Sequence, residues 1–375
     1  MNKIKYNIPY TPKIVAKNIL DVVKNKKFAD GLIRNKTETF LGKMLNSKNI
    51  ILTQSCTSAL EACISICDIG INDEVILPSY TFTSTANCIL MNKAKPIFAD
   101  IDSKTLNLDP EDVEKRITKK TKAIILVHYN GLPCNMHEFI KLKKKYKLFL
   151  IEDCAHALSA KYKKKFLGTI GDLGTFSFHE TKNFPAGQGG ALCVNNKKLI
   201  KKATIYCDKG TNRSFMGKNS YYSWKGVGSE IRATEMTSAL ILSQLKYSKI
   251  IQKKREKIWN IYSKSLGKIN QKLFYFQKKN YRHFENAYHL FPIIFYKKSI
   301  RLKFTQFMNL KKIECFFHYY PLHLSSFGKK YCKNKLINTE KVYNGLIRLP
   351  LYPDLKIKSL KKILKEISIF VRFNS

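Results

Sequence analysis

An α/β protein with a large, mostly parallel sheet and a smaller C-terminal α+β domain is what the sequence predicts. Three observations predict it. Through the first two thirds of the chain, short apolar runs alternate with amphipathic segments, the pattern of buried strands joined by helices. Strand and helix in alternation imply right-handed βαβ units and a mostly parallel sheet. After about Ala233 the pattern changes to a long helical stretch and a lysine-rich tail. At roughly 150 residues per domain, the 375 residues suggest two domains. We divide them as 1–245, a large α/β domain that includes the N-terminal segment, and 246–375, the smaller α+β domain.

In order, Ile50–Leu52, Glu74–Leu77, Pro96–Phe98, Ala123–Val127 and Leu148–Ile151 read as buried strands, each bounded by polar or turn residues. Between them, Ser58–Cys67, Ser84–Met91, Pro110–Ile117 and Met136–Lys145 read as helices. Asp109 and Pro110 supply an N-cap and a first helical residue, with acids in the first turn. Strands follow at Gly174–Phe178 and Gly190–Val194, then a helix over Lys197–Tyr206. A long helical stretch runs from Glu235 to about Lys264, and Leu290–Phe295 reads as a strand of the second domain.

Composition excludes several classes. Hydrophobic residues at 44% and charged residues at 25% rule out a disordered chain, a collagen and a small disulfide scaffold. The net charge of +41 raises nucleic acid as a partner, but it comes from 59 Lys and only 9 Arg. Arginine is the tool for bidentate phosphate and base readout, and these lysines are spread along the chain, in runs such as Lys143–Lys145 and Lys163–Lys165. The excess of Lys with Asn, Ile, Tyr and Phe fits an AT-rich genome, so we expect no specific nucleic-acid partner. The N-terminus lacks the apolar core of a signal peptide, and no run approaches the roughly 20 apolar residues of a membrane span. The ten cysteines form no C-x-x-C pair and no zinc spacing with histidine. A reducing, cytoplasmic location and no metal are the expectation.

Four segments carry chemistry. In Thr53-Gln-Ser-Cys-Thr-Ser-Ala-Leu60 a strand ends, small hydroxylic residues follow and a helix begins. A helix N-terminus offers free amides and a positive dipole end to a phosphate, and Thr57 and Ser58 could add hydroxyls; an ordinary N-cap reads the same way. Phe149-Leu-Ile-Glu-Asp-Cys-Ala-His156 puts two acids at the C-terminal end of a buried strand, where α/β sheets bind ligands. Asp153 could pair with a cationic ring nitrogen or simply cap the next turn, and an isolated His156 is commonly structural. Lys182 lies between the apolar strand Gly174–Phe178 and the glycine-rich turn Gly187-Gln-Gly-Gly190. A lysine desolvated there could act as a Schiff-base amine.

Together these segments resemble the DegT/StrS-type pyridoxal-phosphate sugar aminotransferases, of fold type I, from about Ile8 to Leu355. The similarity is greatest to the subgroup of dTDP-4-amino-4,6-dideoxygalactose transaminases of enterobacterial common antigen synthesis. The strings that carry it are Ser55–Leu60, Pro78–Phe82, Phe176–Asn183, Lys209–Ser214, His318–His323 and Arg348–Leu351. The resemblance implies that Lys182 holds the cofactor covalently and later moves the substrate proton. It implies that Asp153 keeps the pyridine nitrogen protonated, that Phe82 stacks on the ring and that His156 lies against the ring and its 3′-oxygen. Thr57, Ser58 and Ser177 would bind the phosphate. It further implies glutamate as amino donor, a nucleotide 4-keto sugar as acceptor, and a homodimer with the site at its interface. In two places the sequence departs from the pattern. Gln188 stands where many relatives have Glu, and Glu230 stands where many have an Asn that touches the partner's phosphate. The turn glycines beside Gln188 are retained, so the loop is expected to form. Related dehydratases replace the lysine with histidine, and Lys182 argues against that activity.

Overall fold

Seven of the apolar runs come together in one central sheet. The computed structural model describes residues 3–216, 221–269, 272–277 and 284–374. The strand order is β1 (Ile50–Thr53), β9 (Gly190–Val194), β8 (Leu173–Ser177), β5 (Phe149–Asp153), β4 (Thr121–Val127), β2 (Glu74–Pro78) and β3 (Lys95–Ala99). β9 is antiparallel to both neighbours, and every other pair is parallel. The mostly parallel sheet read from the sequence is therefore present, each strand within a few residues of its expected bounds.

Helices cover both faces, and the period of two in the strands decides which residues meet them. Ile51, Val75, Leu77, Ile125, Ile151 and Leu192 face α3 (Cys56–Ile66), α4 (Thr83–Met91) and α7 (Ile200–Cys207). Their chain neighbours Leu52, Ile76, Ile124, Leu126, Leu150 and Ala191 point the other way. There they pack on α2 (Leu32–Leu45), α5 (Pro110–Arg116), α6 (Met136–Tyr146) and α8 (Glu235–Lys246). Helices α1 (Val15–Asn25) and α2 precede the first strand and were not anticipated from the sequence. α2 is held by α8, where Glu235 accepts the amides of Ile33 and Arg34 at 2.9 and 2.8 Å. A small antiparallel sheet joins β6 (Lys161–Tyr162), β7 (Lys165–Phe166) and β11 (Phe284–Glu285).

A second hydrophobic core belongs to the C-terminal third. It gathers α9 (Ser248–Leu266), α10 (Lys298–Leu310), α12 (Ile357–Asn374) and the antiparallel sheet β10 (Phe274–Phe276), β12 (Phe291–Phe295), β13 (Leu346–Leu349). α11 (Ile337–Gly345) leads into β13. The helix expected over 235–264 is two helices, α8 and α9, broken at Tyr247 (φ −100°, ψ 6°). α8 packs on the large sheet, and the length of α9 from Ile258 onward packs on the second core, so one straight axis cannot serve both. Residues 4–6 run along the second core, with Ile4 buried in it and the Tyr6 amide donating to Glu314 at 2.8 Å. Among the described residues no helix is long and apolar enough to cross a membrane.

Candidate active site

The site forms where the parallel strands end. Alternation along β5 sends its two acids to opposite faces. Glu152 turns toward the 168–171 turn and accepts the amides of Gly168, Ile170 and Gly171 at 2.9, 2.8 and 2.6 Å. It also pairs with His128 Nε2 at 3.0 Å, both side chains fully buried. His128, Glu152 and Cys154 offer metal-ligand atoms within 4.8 Å of one another, but the carboxylate already serves three amides, which makes this a structural lock on β5. Asp153 turns the other way. Its Oδ1 accepts the Ala155 amide at 3.0 Å and its Oδ2 the Thr85 hydroxyl at 3.1 Å. Burial pushes this carboxyl above its usual range, against the pull of the Ala155 amide and the Lys182 ammonium.

Lys182 is carried by the 178–189 excursion between β8 and β9. The excursion is closed by bonds from the Phe178 amide to Gly189 O (2.9 Å), Ala186 to Phe178 O (2.8 Å) and Glu180 to Gly187 O (2.9 Å). Gly187 has φ +72°, where a side chain would strain the backbone. The turn thus forms with Gln188 in it. Lys182 keeps partial contact with solvent, yet enough protein surrounds its ammonium to push the pKa down to about 8, against the attraction of Asp153 and Cys56.

The N-terminus of α3 lies beside these groups. Ser55 caps it, its hydroxyl accepting the Ser58 amide at 3.0 Å. The Ser58 hydroxyl returns to the Ser55 carbonyl at 2.9 Å, so it is spent inside the cap. Thr57 pairs with Ser84 at 2.8 Å, tying α3 to the start of α4. The amides of Cys56 and Thr57 have no acceptor among the described residues. Gly190, opposite Ser177 in the ladder, presses on this end. A Cβ there would meet Ser55 C, Ser55 O and Cys56 N at 2.3, 2.4 and 2.5 Å.

His156 lies in an aromatic cluster. Its Nε2 faces the Tyr319 hydroxyl at 3.2 Å, its Nδ1 accepts the Asn130 amide at 3.4 Å, and its ring stacks on His289 at 4.3 Å. Burial, with Lys182 and Arg348 nearby, holds its pKa well below the ordinary histidine value. Phe82 is 58% exposed at the start of α4, its ring 6.4 Å from that of Tyr319. Ser177 is buried at the end of β8 and its hydroxyl accepts the His179 amide at 3.4 Å.

All seven residues singled out in the sequence thus lie around the α3 terminus and the ends of β5 and β8. Thr85, Asn130, Asn183, His289 and Tyr319 were not among them. Tyr319 lies inside the His318–His323 string, while His289 and Asn130 had no local signal, because their partners are distant in sequence. Glu230 ion-pairs with Lys209, so its charge is turned onto a lysine. The donor set fits pyridoxal phosphate: an amine of lowered pKa, a buried carboxylate, two unpaired helix amides and an open aromatic face.

Residues 11–368 match the profile of the DegT/DnrJ/EryC1/StrS aminotransferase family. The chain is 32% identical to GDP-perosamine synthase of Escherichia coli O157:H7, over 84% of this chain and 83% of that one. It is 30% identical to a UDP-4-amino-4,6-dideoxy-N-acetyl-β-L-altrosamine transaminase of Campylobacter jejuni, over 90% of each. Among solved structures, a Helicobacter pylori aminotransferase involved in pseudoaminic acid biosynthesis superposes with a TM-score of 0.92 at 27% identity, over 99% of this chain and 100% of that one.

Proposed function

This chain belongs to the DegT/DnrJ/EryC1/StrS aminotransferase family, and from that premise we propose that it aminates dTDP-4-dehydro-6-deoxy-D-glucose with L-glutamate. The product would be dTDP-4-amino-4,6-dideoxy-D-galactose, a building block for cell-surface polysaccharide. It is a sugar aminotransferase whose cofactor is pyridoxal phosphate. One observation carries the assignment of the site: Lys182, its pKa pushed down to about 8, lies in electrostatic contact with buried Asp153 beside the open α3 terminus.

When bound, the cofactor supplies an electron sink that lets an amino group leave one carbon and enter another. The residues of this chain do the rest. Lys182 would hold the cofactor through Nζ and would move a proton at that atom. At a pKa of about 8, about a tenth of such amines are neutral at pH 7. Asp153, buried and oriented by the Ala155 amide and the Thr85 hydroxyl, would keep a ring nitrogen protonated. The free amides of Cys56 and Thr57, with the Thr57 and Ser177 hydroxyls, bind the phosphate at the positive end of α3. Ser58 contributes by completing the cap. Phe82 would offer its exposed face to the ring, and His156, kept neutral, would contact the cofactor from the aromatic cluster.

The subgroup strings Phe176–Asn183 and Lys209–Ser214 support the dTDP sugar. A second reading, the same chemistry on a GDP- or UDP-linked 4-keto sugar, is favoured by the activities named for the two relatives above. We place the site at a homodimer interface, supported by Tyr221, Trp224 and Val227, which are 98, 79 and 84% exposed. A reducing cytoplasm suits the ten free cysteines. The test is to incubate purified protein with glutamate and a panel of dTDP-, UDP- and GDP-4-keto sugars. The axial amine on the dTDP sugar is expected. The equatorial product, or turnover confined to another nucleotide, removes the substrate assignment.

A further inference from the structure

Asn183, next to Lys182 in the chain, is held by a segment more than a hundred residues further along the sequence. Its Nδ2 donates to Ala287 O at 2.7 Å, which fixes the amide's orientation, and its Oδ1 faces His289 Nδ1 at 2.7 Å. An amide oxygen only accepts, so His289 carries its proton on Nδ1. Both residues are buried, at 5 and 4% exposure. The His289 ring then stacks on His156 at 4.3 Å and an interplanar angle of 29°. One side chain therefore touches both the neighbour of the reacting lysine and the histidine assigned to the cofactor.

The segment that presents His289 is itself clamped. The Asn130 Oδ1 accepts the Leu290 amide at 2.6 Å, and Asn130 Nδ2 donates to Gln277 Oε1 at 2.7 Å. The Ala287 amide bonds Gly131 O at 3.3 Å. Arg255, from α9, donates to the carbonyls of Tyr288 (3.0 Å) and His289 (2.5 Å). The charged or titratable groups acting on His289 are His156, Lys182, Arg255 and His318, all cationic or neutral. A second proton on His289 would meet only repulsion, and the ring stays a neutral donor.

We propose that His289 and Asn183 are a positioning pair, setting the backbone that carries Lys182 and the plane of His156 as one unit. The inference rests on the assignment of Lys182 as the cofactor lysine. The pair acts through these two residues and touches no substrate. Losing the hydrogen bond should misplace Lys182, and losing the stack should free His156, so the two contributions separate by substitution. His289→Phe keeps a flat ring and removes the donor. His289→Gln keeps a donor and removes the ring.

The experiment compares wild type, His289→Phe, His289→Gln, Asn183→Ala and the double variant His289→Phe/Asn183→Ala, all cofactor-loaded. Borohydride labelling of the wild type followed by peptide mapping tests the underlying assignment. Three further readouts are the thermal midpoint, the pH midpoint of the bound cofactor's absorbance change, and the rate of the glutamate half-reaction. We expect His289→Phe and Asn183→Ala to slow the half-reaction at least tenfold and shift the absorbance midpoint by at least half a pH unit. His289→Gln should restore the midpoint toward wild type. The double variant should be no slower than Asn183→Ala, because both substitutions remove the Asn183–His289 bond and Asn183→Ala alone also removes the bond to Ala287 O. A label away from Lys182 overturns the assignment and the pair together. A label on Lys182 with wild-type midpoints in the variants, or strictly additive losses, overturns the pair alone.

Discussion

At the scale of single residues, the site sets its protonation states by burial. Lys182 should lose its charge near pH 8. The rate at which apoprotein takes up pyridoxal phosphate should therefore rise with pH and level off above about 8; a rise continuing toward 10.5, the ordinary lysine value, would count against a desolvated amine. Lys182→Ala should still bind pyridoxamine phosphate and lose turnover by about 10²–10⁴-fold or more, with no cofactor fixed by borohydride. Turnover near wild type would exclude Lys182. The histidines shift in the same direction as the lysine. His156, His289 and His318 are all held well below 6.5, first by burial. Below the ordinary value the unfolded chain binds protons that the folded chain refuses, so stability must fall as pH drops through 6.5. The slope reaches about 1.4 kcal/mol per pH unit for each histidine. Asp153 and Glu38, raised by burial, oppose this at lower pH. Thermal midpoints at pH 7.5, 6.5 and 5.5 should decline, and a flat series would mean that the stack takes up protons.

At the scale of elements, the sequence was most legible where a local period repeats. The strands of the large sheet and helices α3 to α6 follow from apolar runs, one Asp-Pro cap and turn residues. Asp153 stood out because it ends a strand, and Lys182 because it lies between an apolar strand and a glycine-rich turn. The break at Tyr247 and the embrace of α2 by Glu235 were not legible, since both depend on which core a helix meets. His289 was hidden for the same reason: its partner Asn183 is 106 positions away. We propose that the division near residue 245 falls at the α8–α9 break, where packing passes from the large sheet to the second core. The contact of β9 with α3 gives an element-level prediction. Gly190→Ala should push β9 off the helix terminus, because the atoms it meets are backbone. We expect a loss of about 1–3 kcal/mol in stability and weaker cofactor binding, read by denaturant titration and cofactor fluorescence. A variant with unchanged cofactor affinity would show that this wall does not shape the phosphate site.

At the scale of the whole molecule, +41 of formal charge acts as a field more than as a set of contacts. It raises the local concentration of any anion, a pyrophosphate-bearing sugar included. Duplex DNA should bind only weakly, at roughly 10⁻⁴–10⁻⁶ M near physiological salt, and lose affinity steeply as salt rises. Sequence-specific binding several orders tighter, measured by fluorescence anisotropy, would overturn the reading of the lysines as drift. The sheet order has a different kind of consequence. Among the named strands of the described residues β1 pairs with β9, joining residues 50–53 to 190–193, and its other edge meets the still later residues 231–233. During synthesis the chain appears from its N-terminus, so β2, β3, β4 and β5 can zip together while β1 still lacks its neighbour. The ledge that walls the α3 terminus arrives only with Gly190, after Lys182 itself. Vitamin capture by a growing polypeptide is thereby postponed until about half the protein has been made, and ribosome-arrested chains stopping short of residue 190 should emerge colourless.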